Sequence, residues 1–176
     1  MDAKLAEKVE VKRAAISDKP ILRHLLQLYS YDFTEFEDID MDEDGLYRYD
    51  YFDHYWTEAH RHPYLVRVDG KIAGFAFIRL EEREDGTPFT FMAEFFIMKK
   101  YRGKGIGQAV AYHLFDLYPG EWEVSEIPQN YPAQAFWRKI IGRYTGGHFT
   151  EQIMEDGEVV QFFRSPGKSA TVNNEP

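Results

Sequence analysis

The stretch from Phe89 to Tyr118 constrains the fold more than any other part of this chain. Phe89 to Met98 is an apolar run that reads as a strand, Gly103, Gly105 and Gly107 follow, and Gln108 to Tyr118 repeats apolar residues at helical spacing. A strand that turns through glycines into a helix leaves unbonded amides at the helix start, where the helix dipole favours an anion. Lys99, Lys100, Arg102 and Lys104 add four positive charges within six positions. Such a loop suits a polyphosphate ligand, and its bland alternative is a solvated surface turn. A Walker loop needs GxxxxGK[ST], which is absent, and the glycines give GxGxG rather than the dinucleotide spacing GxGxxG.

The flanking elements alternate between strands and helices. Val9 to Ile16 reads as a strand, and Ser17-Asp18-Lys19-Pro20 opens a helix through Tyr29. Glu35 to Gly45 reads as a loop and Tyr51 to Arg61 as a short helix. Tyr64 to Val68 and Lys71 to Leu80 flank Asp69-Gly70, a hairpin signal. Glu121 to Ile127 reads as a strand, Pro132 to Ile141 as a helix, and Phe149 to Met154 with Glu158 to Phe163 as a hairpin around Asp156-Gly157. The expectation is one mixed α+β domain over residues 1–164, with a disordered polar tail over 165–176.

Composition excludes several functions. The net charge of -9 argues against non-specific nucleic-acid binding, which needs a basic face. Zero Cys removes disulfides, thiol nucleophiles and Cys-ligated metals. The first ten residues lack the apolar core of a leader, and no run approaches the ~18 apolar residues of a membrane-spanning helix. A cytoplasmic protein without a membrane partner is expected. A homodimer is compatible with the sequence, but no feature establishes one.

The glycine loop has company. Arg102-x-x-Gly105-x-Gly107 resembles the R/Q-x-x-G-x-G/A signature of the GNAT superfamily of N-acetyltransferases, with Phe95-Phe96-Ile97 as the strand leading into it. Asn130-x-x-Ala133-x-x-Phe136-Trp137 is similar to the later N-x-x-A-x-x-F-Y segment. The pattern around Tyr55-Trp56, Pro63 and Gly74-Phe75 resembles a bacterial-type group of that superfamily. The resemblance implies a mixed, mostly antiparallel sheet flanked by helices and splayed between two central strands, with acetyl-CoA as cosubstrate in the cleft. It implies that backbone groups of Ile97 and Lys99 pair with the pantetheine arm, that Met98 between them belongs to the cofactor site, and that an amide near Ile97 polarises the thioester. It also implies that Arg102, Gly103, Lys104, Gly105, Ile106 and Gly107 hold the pyrophosphate. Asn130, Ala133 and Phe136 would border the cofactor, although an Asn in that position also commonly caps a helix.

Transfer to an amine needs a base. Glu94 lies three positions before Ile97 among Met92, Ala93, Phe95 and Phe96, where burial would raise its pKa toward neutrality. Strict alternation places it on the face of Met92 and Phe96; the alternative is a solvated Glu. The leaving thiolate would take a proton from the family tyrosine, but Trp137 stands there and has no acidic hydroxyl. Tyr131 and Tyr144, both nearby in sequence, are the candidate acids, Tyr131 the one carried into the site, and water could also suffice.

Glu35, Glu37, Asp38, Asp40, Asp42, Glu43 and Asp44 form an uninterrupted acidic loop. Setting these seven aside leaves 21 basic against 23 acidic residues, so the imbalance is local. Asp40-x-Asp42-x-Asp44-Gly45 copies half of a calcium loop, but Tyr51 stands where a bidentate Glu is required. His54, His60 and His62 lack the context of a zinc site, and no metal is expected. The loop reads either as a solvated segment or as a negative rim that attracts a cationic acceptor, with Phe33, Phe36, Tyr47, Tyr49 and Tyr51 as aromatic surface. Three functions follow: an N-acetyltransferase acting on a small cationic primary amine in a ternary complex, a non-catalytic CoA-binding sensor, or an unrelated phosphate-binding module.

Overall fold

The structure, a computed structural model, describes residues 9–168. The first eight residues, read above as carrying no leader, lie outside it, and so does the expected tail from residue 169 onward. Ser165 is not tail: it ends the last strand and is buried.

The elements run β1 (Val9–Arg13), α1 (Lys19–Phe33), β2 (Arg61–Val68), β3 (Lys71–Glu82), β4 (Pro88–Ile97), α2 (Ile106–Leu117), β5 (Gly120–Glu126), α3 (Tyr131–Thr145), β6 (Phe149–Ile153) and β7 (Val159–Ser165). The strands form one seven-stranded sheet in the order β1-β2-β3-β4-β5-β7-β6. Every neighbouring pair is antiparallel except β4 with β5.

Local chemistry explains most boundaries. Asp69 and Gly70 both take positive φ, 50° and 73°, as a two-residue hairpin requires. Pro20 sits in the first turn of α1, where its missing N–H costs nothing. Asn130 Oδ1 caps α3 by accepting from the Ala133 amide at 3.1 Å. Gly146, at φ 63°, stops that helix, and the Gly147 amide reaches back to the Gly142 carbonyl at 2.8 Å. The helix therefore runs past the expected Ile141, because Gly142 is tolerated inside it. Two expectations are corrected. The first strand ends at Arg13, before a 3-10 turn at Ile16–Asp18, and the expected helix over Tyr51 to Arg61 is one 3-10 turn, Asp53–Trp56.

Each face of the sheet carries its own core. Val110, Leu114, Phe115, Trp122, Trp137 and Ile140 pack between the sheet and α2 and α3. Leu22, Leu25, Phe52, Tyr55, Phe75, Phe77 and Phe96 pack under α1. β3 is buried continuously from Ala73 to Ile78, as a strand covered on both faces must be. Each large side chain removed from water stabilises the fold by about 1.5–3 kcal/mol.

Candidate active site

The parallel contact between β4 and β5 is short. Thr90 pairs with Trp122, Phe91 with Glu123 and Met92 with Val124, and there the ladder ends, although β4 runs on to Ile97 and β5 to Glu126. The two strands splay as the resemblance implies. The Met98 amide donates to the Ala73 carbonyl at 2.9 Å, so the next pair inward, Ile97 with Gly74, is a non-bonded pair, and Phe95 with Ala76 is another. The backbone N–H and C=O groups of Phe95 and Ile97 therefore turn away from β3 and toward the opened gap.

A bulge re-aims β4 just at the opening. Phe77 pairs with Glu94 but Ile78 pairs with Met92, which leaves Ala93 as the extra residue. Strict alternation fails there, so the expected face of Glu94 was half right. Met92 packs in the α2/α3 core, whereas Phe96 packs in the α1 core. Glu94 shares the α1 side. Its Oε2 accepts from the Tyr29 hydroxyl at 2.5 Å and its Oε1 from the Tyr49 hydroxyl at 2.9 Å. Burial raises the Glu94 pKa, against the lowering pull of these two phenols and of Arg79. Burial and the neighbouring Glu94 charge raise both phenols, so each remains a proton donor.

Tyr49 reaches Glu94 because the chain after the acidic loop is stitched to α1. Gln27 Nε2 donates to the Tyr47 carbonyl at 3.0 Å, and the Tyr47 amide donates back to Gln27 Oε1 at 2.8 Å. Within the loop, Asp42 accepts from the amides of Asp44 and Leu46 and from Arg48 Nε, so it shapes the turn. The histidines noted in the sequence divide: His54 and His60 turn to Glu58, at 2.8 and 3.3 Å, while His62 bonds Tyr118 and the Ala59 carbonyl.

The glycine loop leads from β4 into α2. Gly103 and Gly105 hold φ of 71° and 77°, and Gly105 sits at the helix N-cap. The amides from Gly103 to Gln108, those of Lys104 and Ile106 included, meet no acceptor among the described residues. Gly107 lies where a β-carbon would stand 3.1 Å from the Phe136 ring. Phe136 in turn stacks on Phe95 at 5.9 Å. The basic side chains are less available than their sequence suggests. Lys104 Nζ donates to the Lys100 carbonyl, and Lys99 and Arg102 both pair with Asp32.

The later segment lines the same opening from α3. Asn130 takes the capping role, and Ala133, whose amide it caps, packs half-buried against the α2/α3 core. Trp137 is buried with its ring 5.0 Å from both Phe95 and Phe136. Tyr144 donates to Asp116 at 2.7 Å and contacts the Ser165 hydroxyl, which ties its hydroxyl to α2 and the end of β7. Tyr131 opens α3 with 72% of its surface exposed, and the structure does not bring its hydroxyl to Glu94, which is held by Tyr29 and Tyr49 instead. Sequence reasoning missed Tyr29 and Asp32. The available signal was their three-residue spacing, which puts two polar groups on one face of α1.

Comparison with known proteins agrees with this geometry. Three solved structures illustrate the fold. Arabidopsis thaliana Naa50 in complex with the bisubstrate analogue CoA-Ac-MVNAL is 18% identical, with a TM-score of 0.58 over 89% of this chain and 98% of that one. The PaiA N-acetyltransferase of Thermoplasma acidophilum in complex with coenzyme A is 10% identical, with a TM-score of 0.63 over 89% and 98%. An aminoglycoside acetyltransferase, meta-AAC0020, from an uncultured soil metagenomic sample in complex with sisomicin is 16% identical, with a TM-score of 0.60 over 77% and 89%. Comparison with curated protein sequences finds no match. The profile of the acetyltransferase (GNAT) family matches residues 23–142, from α1 through most of α3. With that match spanning more than half of the chain, and with the β4–β5 splay and the glycine loop inside it, this chain belongs to the GNAT family of acetyltransferases.

Proposed function

We propose that this protein is an N-acetyltransferase that moves acetyl from acetyl-CoA to a small cationic primary amine by direct attack in a ternary complex. The observation that carries the reading is Glu94, a half-buried carboxylate at the lip of the β4–β5 splay, held by two phenols. The unbonded amides from Gly103 to Gln108 suit the pyrophosphate. The gap-facing backbone of Phe95 and Ile97 suits the pantetheine arm as an added strand, and one of those amides suits the thioester oxygen.

Glu94, directly or through one water, takes a proton from the ammonium. The freed amine attacks the thioester carbonyl carbon, an N–C bond forms, and the C–S bond breaks. The adduct nitrogen then gives up its second proton to water, and CoA leaves as a thiolate that is re-protonated by water or by Tyr131, the exposed hydroxyl at the start of α3. Seven carboxylates between Glu35 and Asp44 favour a cationic acceptor on the α1 side.

The test follows thiol release from acetyl-CoA with a panel of polyamines, aminoglycosides and peptides with free N-termini. Turnover with a cationic amine, and a loss of about 10²–10⁴ in kcat for Glu94→Gln, is the expected result. Unchanged turnover in Tyr131→Phe assigns the last proton to water. Tight acetyl-CoA binding with no thiol release from any amine would replace the enzyme by a CoA-binding sensor.

A further inference from the structure

Asp32 closes α1, at the end of the helix dipole where a carboxylate is disfavoured. No basic residue of the helix's own last turn offsets it. Two cations from the glycine loop do: Lys99 Nζ stands at 3.0 Å and Arg102 Nη2 at 2.5 Å. Burial would raise the Asp32 pKa, but the hydrogen bonds from Arg102 and Lys99 outweigh it and hold the carboxyl below its usual range.

Arg102 is fixed at three points. Nη2 meets Asp32, Nε donates to the Ile97 carbonyl at 2.6 Å, and the guanidinium lies over the Phe96 ring at 5.5 Å from its centre. The Ile97 carbonyl is one of the groups on the gap-facing edge of β4. The motif arginine is thus turned onto the strand end and not onto the unbonded amides of its own loop. Tyr29, one turn before Asp32 on the same face of α1, holds Glu94. A single helix face therefore touches both the strand end and the base.

We propose that Asp32 is a positioning residue for acetyl transfer: it keeps Arg102 on the Ile97 carbonyl and so sets the end of β4 against which the thioester is presented. This rests on the acetyltransferase reading above. Removing the Asp32 charge releases Arg102 and Lys99 toward a bound polyphosphate. Cofactor binding then holds or tightens while the chemical step slows. A side chain that served only phosphate binding, or only folding, would not separate the two.

The experiment measures acetyl-CoA affinity by calorimetry without acceptor, and kcat with the best amine of the panel, for the full chain and its variants. Asp32→Asn is expected to bind acetyl-CoA as tightly as the wild type or several-fold tighter. Its kcat falls about ten- to a hundredfold, the scale of a small misplacement of reacting groups. Asp32→Glu restores most of the rate. Arg102→Lys lacks the planar fork that reaches both partners and loses a similar factor. The double variant Asp32→Asn/Arg102→Lys loses no more than either alone. An unchanged kcat in Asp32→Asn, weaker acetyl-CoA binding with kcat intact, or fully additive losses would each overturn the role. A wild-type chain that binds acetyl-CoA but acetylates no amine would instead remove the acetyltransferase reading, and this role with it, before any variant is compared.

Discussion

A carboxylate that must accept a proton from an ammonium works best with a pKa near the working pH. Burial moves Glu94 that way, while Tyr29 and Tyr49 favour its ionised form. Deleting either hydroxyl removes a bond that only the carboxylate enjoys. Tyr29→Phe and Tyr49→Phe should therefore shift the acidic limb of the kcat/KM profile to higher pH, by about one unit for a lost hydrogen bond of about 1.4 kcal/mol. A Tyr49→Phe profile superimposable on the wild type would show that the phenol does not stabilise the charge. Glu94 was legible in the sequence because a lone acid in an apolar run is conspicuous. Its donors were not, since they lie 65 and 45 positions away and only the fold brings them close. The bulge at Ala93 was also hidden, because no glycine or proline marks it.

Elements announced by turn chemistry were easy to read. Asp69-Gly70 marked its hairpin, Pro20 the start of α1, and the glycines the start of α2. Tyr51 to Arg61 misled because aromatic residues at helical spacing here serve one short turn that plugs the α1 core through Phe52 and Tyr55. Gly107 shows how a motif residue can act between elements. Its missing β-carbon is what allows Phe136 of α3 to reach across α2. Gly107→Ala places a methyl 3.1–3.2 Å from that ring, tighter than ordinary contact. The expected cost is about 1–3 kcal/mol of overpacking, with weaker acetyl-CoA binding as α2 and α3 part. Each kcal/mol lowers Tm by about 2–4 °C in a chain of this size. Phe136→Leu in the same background should recover stability. A Gly107→Ala chain that melts with the wild type would mean that the ring yields freely and the glycine serves the loop alone.

Across the whole molecule, both faces of the sheet carry a carboxylate drawn at least partly out of water. Glu94 serves the α1 side, whereas Glu126 lies at the end of β5 beneath α3, 5% exposed and outside the proposed mechanism. Gln161 Nε2 of β7 donates to it at 3.0 Å, and Glu151 of β6 and Arg138 of α3 stand nearby, paired with each other. Glu126 Oε1 and Gln161 Oε1 are buried without a partner among the described residues. Burial, followed by the Glu151 charge, pushes the Glu126 pKa up to about 8, against the pull of Gln161 and Arg138. The unfolded value is about 4.3, so the folded chain holds this proton more tightly. Stability from that difference is complete below about pH 4.3 and is lost as pH rises through about 8. Burial of His62 and His113 lowers their pKa values and gives the opposite slope on the acid side, but those groups titrate alike in a Glu126 variant and cancel from the comparison. Glu126→Gln keeps the shape, removes the titration and supplies an N–H for Gln161 Oε1. Melting curves of the two chains should coincide near pH 4.5 and separate steadily above it. By pH 8 the variant should lead by several kcal/mol, approaching the ~5 kcal/mol that a pKa raised from about 4.3 to about 8 represents. Parallel curves from pH 4.5 to 9 would place the ionised carboxylate in water after all, with β5, β7 and α3 opening far enough to admit it.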